Sequence, residues 1–410
     1  MDASTITIRP VNPPSRIWHT LFAATILLLT QAEALADSFA DQLKGEDGWF
    51  DTSDWVLNNA IGLMPVPLII TEPAIGEGLG LAALFFHPPK GYSQDEYEAE
   101  MAQRKNSAVN GEKQKFVLPN ITAVAGAKTN NGTWFVGGGH FAHWKNDHIR
   151  YQGVVGYASI NLRFYGSEDN VLPPIGNGLE FNIEGMLLQQ PISFRWKDTD
   201  FFFGGLYELS KTKTTFKFLP NSIDSSRLNL EPTLSGLGAF VTYDSRDTIF
   251  TPNTGLDAEI KVKRNDQKLG SDFDFTYFDA HARKYWTLGE KWVLGLRLEA
   301  DRVSGDVPFY ALPFISMRGI PAMRYQGRSV ALVETEARWA FHRRVSVVGF
   351  IGSGKAAESW GDFGDSPSRT ARGLGIRYFM AEKLGMHAGI DVARGPEETY
   401  WYLTMGSAWH

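Results

Sequence analysis

The chain has 410 residues, no cysteine, a formal net charge of −6 and a mean hydropathy of −0.21. An acidic balance leaves no basic footprint for nucleic acid, and the lack of cysteine leaves no disulfide framework and no cysteine-based zinc site. A helical membrane protein needs a run of about 18 or more apolar residues, and the sequence has none.

In chain order, Arg9 and Arg16 precede the apolar stretch Leu21–Leu29, and Ala34-Leu35-Ala36 follows. That order reads as a secretory signal peptide over residues 1–36 with an A-x-A cleavage site. Residues 37–61 then form a short N-terminal segment, in which Thr52-Ser53-Asp54-Trp55-Val56-Leu57 predicts a short capped helix. From residue 62 to 410 the dominant signal is a period of two. Leu256, Ala258, Ile260 and Val262 alternate with Asp257, Glu259, Lys261 and Lys263, and Trp292 to Asp301 alternates in the same way. Trp401, Leu403, Met405 and Trp409 share one face near the C-terminus. Successive side chains of a strand point to opposite faces, so each such segment is a strand with one apolar and one polar face.

About sixteen strands follow from this pattern: 62–70, 76–87, 116–128, 132–145, 148–164, 179–194, 200–215, 233–245, 255–263, 272–286, 291–302, 329–341, 345–354, 369–380, 384–393 and 398–409. Many reach about ten residues, the length that crosses a bilayer at a tilt. Trp286, Trp292, Trp339, Trp401 and Trp409 fall near strand ends, as in an interfacial girdle. Open sheet edges are not tolerated in lipid, so the sheet must close. The fold class expected is all-β: a closed antiparallel transmembrane β-barrel in the outer membrane of a Gram-negative-type envelope. With both termini in the periplasm, parity sends 216–231, 303–328 and 355–368 to the cell surface. The connection 88–115 then falls on the periplasmic side. Its Ser93-Gln94-Asp95-Glu96 is a capping box opening a helix to about Lys105. That helix reads as a solvated loop or as a docking surface for a periplasmic partner or client polypeptides.

Five motifs occur in order: "YDSRDTIFTPNTG" with Asp244, Arg246, Asp247, Pro252 and Gly255; Met317-Arg318-Gly319-Ile320; "ETEARW" with Glu336, Arg338 and Trp339; "GLGIRYFMAEKLGMHAGIDVARGP"; and the C-terminal "WYLTMGSAW" with Gly406 and Trp409. From about residue 233 onwards the chain resembles the BamA/TamA family of outer-membrane barrels, the bacterial surface antigen family. The resemblance implies a surface loop that folds back into the lumen and is held there through Arg318. It also implies a periplasmic strand turn at Asp244–Gly255 and a C-terminal barrel signal read by the assembly machinery. Family members usually carry periplasmic POTRA domains ahead of the barrel. Only about 25 residues separate Asp37 from the first strand, too few for an independent domain, so a barrel-only member is expected.

A buried arginine needs a carboxylate partner, and a guanidinium favours a bidentate one. Glu334, Glu336 and Arg338 share one face of their strand. Glu336 is therefore the expected partner of Arg318, with Glu334 in reserve. The resemblance also places Phe350 facing the lumen, but Gly352 stands where the family often has an acid. Either the loop is held more loosely here, or Asp301 or Glu299 substitutes. His140 and His143, three apart, point to opposite faces of a strand, and no cofactor or metal pattern is present.

The resemblance implies insertion or translocation of polypeptides at the outer membrane. A weakly paired seam would serve, because an unpaired strand edge is a template for another strand. Pro65 and Pro67 in the first strand and Gly406 in the last would weaken that seam. The alternative is a passive or lipid-handling barrel without a client protein. No Ser/His or Asp/His constellation marks an enzyme. The expected partners are outer-membrane lipid and, during biogenesis, the barrel-assembly machinery.

Overall fold

The computed structural model describes residues 43–58, 62–87, 120–145, 147–165, 178–218 and 230–409. The expected signal peptide and the helix at 93–105 lie outside them. A short helix, α1 (Ser53–Asn58), precedes sixteen strands. The first eight are β1 (Gly62–Glu72), β2 (Gly76–His87), β3 (Asn120–Thr129), β4 (Trp134–Trp144), β5 (Ile149–Phe164), β6 (Leu179–Arg195), β7 (Phe201–Phe216) and β8 (Thr233–Asp244). The rest are β9 (Gly255–Asn265), β10 (Phe275–Leu288), β11 (Trp292–Gly305), β12 (Ser329–Ala340), β13 (Val345–Ala357), β14 (Arg369–Ala381), β15 (Met386–Arg394) and β16 (Thr399–Met405). They form one antiparallel sheet in strict chain order, rolled into a nearly closed barrel. No helix among the described residues is long and apolar enough to cross a membrane.

Alternation decides which side chains face outward. Leu79 and Leu374 are 71% and 72% exposed on the outer wall. Trp292 stacks on Trp339 there, at 5.8 Å, beside the short turns. The inner face is charged and registered. On β9, β10 and β11, one row is Lys261–Asp279–Asp301 and the next is Glu259–His281–Glu299. Lys261 Nζ lies between Glu259 (3.3 Å) and Asp279 (3.1 Å). Lys261 thus offsets carboxylates on its own strand and on β10, whereas Asp279 and Asp301 stand directly opposite each other as like charges.

The segment between β11 and β12 folds inward at the end of the barrel that carries the long loops. Phe309 is buried against Phe164, Phe181 and Phe216, with ring centroids 4.9, 5.3 and 5.6 Å away. A second cluster joins Ile315, Met317 and Ile320 of this segment to Val330 and Leu332 of β12 and Ala371 of β14. Burying a side chain of that size contributes about 1.5–3 kcal/mol, so these anchors hold the loop inside the wall.

The last strand is shorter than the period of two predicts. It ends at Met405, not at residue 409. Gly406 adopts φ +78°, and its N–H donates to the His387 carbonyl at 2.7 Å. That left-handed turn, open to glycine at little cost, swings the tail into the barrel. Trp409 is therefore not on the outer wall beside Trp401. It is 5% exposed, packed inside against Tyr285 and Gly295.

Candidate functional site

Arg318 is the centre of the inner network. It sits in the folded-back loop, 8% exposed. Its Nε and one terminal nitrogen donate to Glu334 Oε1 at 3.2 and 2.7 Å. The same terminal nitrogen reaches Glu336 Oε2 at 2.8 Å, and the other reaches Asp391 Oδ2 at 2.7 Å. The guanidinium lies 3.5 Å from the centre of the Phe350 ring, a cation–π contact. The charges alternate outward: Arg297 donates to Glu334 at 3.2 Å, and Arg377 chelates Asp391. Glu334 and Asp391 are 2% and 0% exposed, so each carboxylate depends on its arginines.

The expected partners are present in a different order. Glu334, held in reserve by the sequence reading, takes two hydrogen bonds, and Glu336 takes one. Glu299 and Asp301 do not substitute for the acid missing at Gly352. Glu299 is engaged by Arg297, and Asp301 faces Asp279 across the ladder. The substitute is Asp391 on β15. Gly352 has its own steric reason: a Cβ there would meet Met317 Sδ at 2.8 Å and Glu334 at 3.1 Å. The Gly-x-Gly-x-Arg stretch of β14 is explained in the same way. A Cβ at Gly373 would strike the Phe350 ring, one at Gly375 would strike Asp391, and Arg377 holds that aspartate.

Gly319 has φ +91°, and its N–H donates to the Tyr402 hydroxyl at 2.8 Å. Its backbone lies so close to Gly395, in the β15–β16 turn, that a Cβ on Gly395 would overlap the Gly319 carbonyl. Ile320 is 4% exposed in the compact cluster with Met317 and Ala371. Arg324 and Tyr325 extend the clasp to Glu397 of the same turn. The Arg324 guanidinium beside it holds the Glu397 carboxyl below its usual range.

The 245–254 turn forms a second assembly at the opposite mouth. Arg246 binds Asp244 at 2.9 Å and lies 3.4 Å from Asp257. Asp247 accepts from the N–H groups of Asn253 and Thr254 at 3.0 and 3.2 Å. Gly255 has φ +110°, with Ser245 and Arg246 too close for a side chain. The turn reaches across the mouth. Thr248 donates to the Leu384 carbonyl at 3.1 Å, and Thr251 accepts from the His387 N–H at 3.1 Å. Buried Pro252 lines a small polar cavity with Trp409 and Arg338. Arg338 is an inward residue, as expected, but it binds Asn253 of this turn and makes no hydrogen bond to the Arg318 cluster.

Sequence reasoning missed Arg344. It lies in the short β12–β13 turn, yet its side chain is 1% exposed. It binds Asp47, Asp51 (2.6 Å), the Phe379 carbonyl (3.2 Å) and Glu382 (3.0 Å). The segment before the barrel is docked on the β14–β15 turn through this arginine. Thr52 N–H donates to Met380 O at 2.6 Å, and Tyr378 donates to Phe50 O at 2.7 Å. The Asp47 carboxyl is held down to about 2 by its hydrogen bond to Arg344. No periodicity or spacing links position 47 to position 344.

The barrel's seam is the third feature. β1 is laddered to β2 and β16 to β15, but the described residues show no ladder between β1 and β16. Side chains bridge the gap instead: Leu403 N–H donates to Thr71 Oγ1 at 3.0 Å, and Trp401 Nε1 to Glu77 at 3.0 Å. A proline within a paired strand must turn its nitrogen to the unpaired side. Pro65 and Pro67, registered with Ala83 and Leu81 of β2, therefore remove two donors from the edge facing β16. The turn at Gly406 leaves the first half of β1 paired with β2 but with no strand on its other side.

Residues 168–316 match the model of the Omp85 superfamily domain. Over that segment the chain is similar to the Omp85 superfamily domain. BamA from Haemophilus ducreyi lacking POTRA domains 1-3 is similar in fold, with a TM-score of 0.54 and 12% identity over 90% of this chain and 81% of that one. CdiB from Escherichia coli gives 0.53 at 10% identity, and CdiB from Acinetobacter baumannii 0.52 at 10%. Those two matches cover 83% and 84% of this chain but only 61% and 58% of the CdiB chains. No protein of curated function matches the sequence.

Proposed function

We propose that this chain is a non-enzymatic outer-membrane barrel of the Omp85 superfamily that helps polypeptides insert into, or cross, the outer membrane through its β1–β16 seam. The observation that carries the reading is the seam itself. A sheet edge without a ladder is a template for another strand, and here it is laddered nowhere among the described residues. The likeness to BamA and CdiB barrels agrees with it. In this reading the long-loop end faces the cell surface and the 245–254 turn faces the periplasm. The Arg318 cluster is a positioning device: it ties the inward loop to β12 and β15, so the wall next to the seam keeps its shape while the seam itself stays weak. The partners are client polypeptides, outer-membrane lipid and, during its own biogenesis, the barrel-assembly machinery. Depleting the protein and profiling the outer-membrane proteome tests the proposal. Loss of a defined set of outer-membrane proteins supports it. An unchanged proteome with altered lipid asymmetry favours a lipid-handling barrel.

A further inference from the structure

The outer wall next to the seam carries a second feature that insertion does not use. One registered row across five strands runs Leu294–Ala337–Gly349–Leu374–Val392. Small residues in its middle, flanked by leucines and valine, leave an apolar groove of about 750 Å³ in the wall. The next row toward the long-loop end runs Thr335–Ile351–Arg372–Arg394. Arg372 and Arg394 are directly opposed across the β14–β15 ladder and both point outward, exposed. Like charges in that position repel, and among the described residues neither makes an ion pair. Arg394 only donates to Thr399 Oγ1, at 3.4 Å. Two unneutralised arginines at the head of an apolar groove are charge-complementary to one kind of molecule: an acyl chain below and an anion above. Guanidinium groups match phosphate geometry. Outward Trp401 pairs with Val392 in the row below, as expected for the level where headgroups begin.

We infer that the β12–β15 outer wall is a binding site for a lipid with a phosphorylated headgroup in the surface leaflet, its acyl chain in the groove over Gly349 and its phosphate on Arg372 and Arg394. The inference does not depend on the insertion reading. The test is native mass spectrometry of the purified full chain with phosphatidic acid, with diacylglycerol of the same chains, and with inorganic phosphate as competitor. The wild type is expected to retain phosphatidic acid in preference to diacylglycerol. The Arg372→Gln/Arg394→Gln variant loses that preference, and Gly349→Leu, which fills the groove, lowers retention with both arginines present. Heat-modifiability confirms that each variant is folded; if the double variant is not, Arg372→Gln alone is read the same way. Equal retention of both lipids, retention unchanged by the arginine substitutions, or complete displacement by inorganic phosphate at equimolar concentration overturns the site.

Discussion

Asp391 Oδ2 lies 2.7 Å from Arg318, 73 positions earlier in the chain, and this bond closes the inner cluster that Gly352 leaves without an acid. The arginine thereby spans β12 and β15. Removing it leaves Glu334 and Asp391 buried and short of counter-charge. Arg318→Ala is expected to cost about 3–5 kcal/mol, read as a lower urea midpoint of the folded barrel. Arg318→Lys keeps the charge but loses the fork, and its cost is expected at about 1–3 kcal/mol. Equal stability of wild type and Arg318→Ala would show that the cluster does not hold the loop.

Restoring the acid of the family pattern tests whether Asp391 has replaced it. Gly352→Asp places a side chain against Met317 and a second carboxylate beside Glu334. A destabilisation of about 1–3 kcal/mol is expected. A gain in stability would mean that the cluster lacks an acid, contrary to the Asp391 contact.

The tail offers a separate test. Trp409 inside the barrel should cost about 3–5 kcal/mol when truncated to alanine, while Trp401→Ala on the outer wall costs much less. The two are compared by heat-modifiability. The reverse ranking would place Trp409 outside.

Acid should release the segment before the barrel. Asp47 has its carboxyl lowered by Arg344 from the ordinary 3.8 to about 2. Burial pushes Asp51 up, but Ser53 and Arg344 more than offset that, and it too is lowered. A depressed carboxyl contributes stability that is full above its unfolded value and lost as pH falls toward the folded one. Docking is therefore expected to persist down to about pH 4 and to fail between there and about pH 2. Protection of residues 43–58 from pepsin, followed by mass spectrometry across that window, checks it. Asp47→Asn should shift the loss to higher pH.

Much of the barrel could be read from its period of two, because one lumen face and one apolar wall impose it on every strand. β2 has the bounds 76–87 that alternation predicts. The inward position of Arg318 was legible through the motif, and the glutamates through their shared face on β12. Asp391 was not, because it faces the cluster from β15 and only the closed sheet brings it there. The tail was misread for a local reason: Gly406 breaks the alternation by a turn that the period of two does not encode. Arg344 was hidden because its partners come from a segment that precedes the barrel altogether.

The seam is the centre of the functional proposal, and the chain's lack of cysteine makes it directly testable. Thr71 and Leu403 are in contact across the gap, so Thr71→Cys with Leu403→Cys joins β1 to β16 by a disulfide. The measurement is the yield of outer-membrane proteins assembled in cells that depend on this variant, with and without reductant. Assembly should fail when the seam is oxidised and recover when it is reduced. Full assembly with a quantitatively crosslinked seam would contradict insertion through β1 and β16.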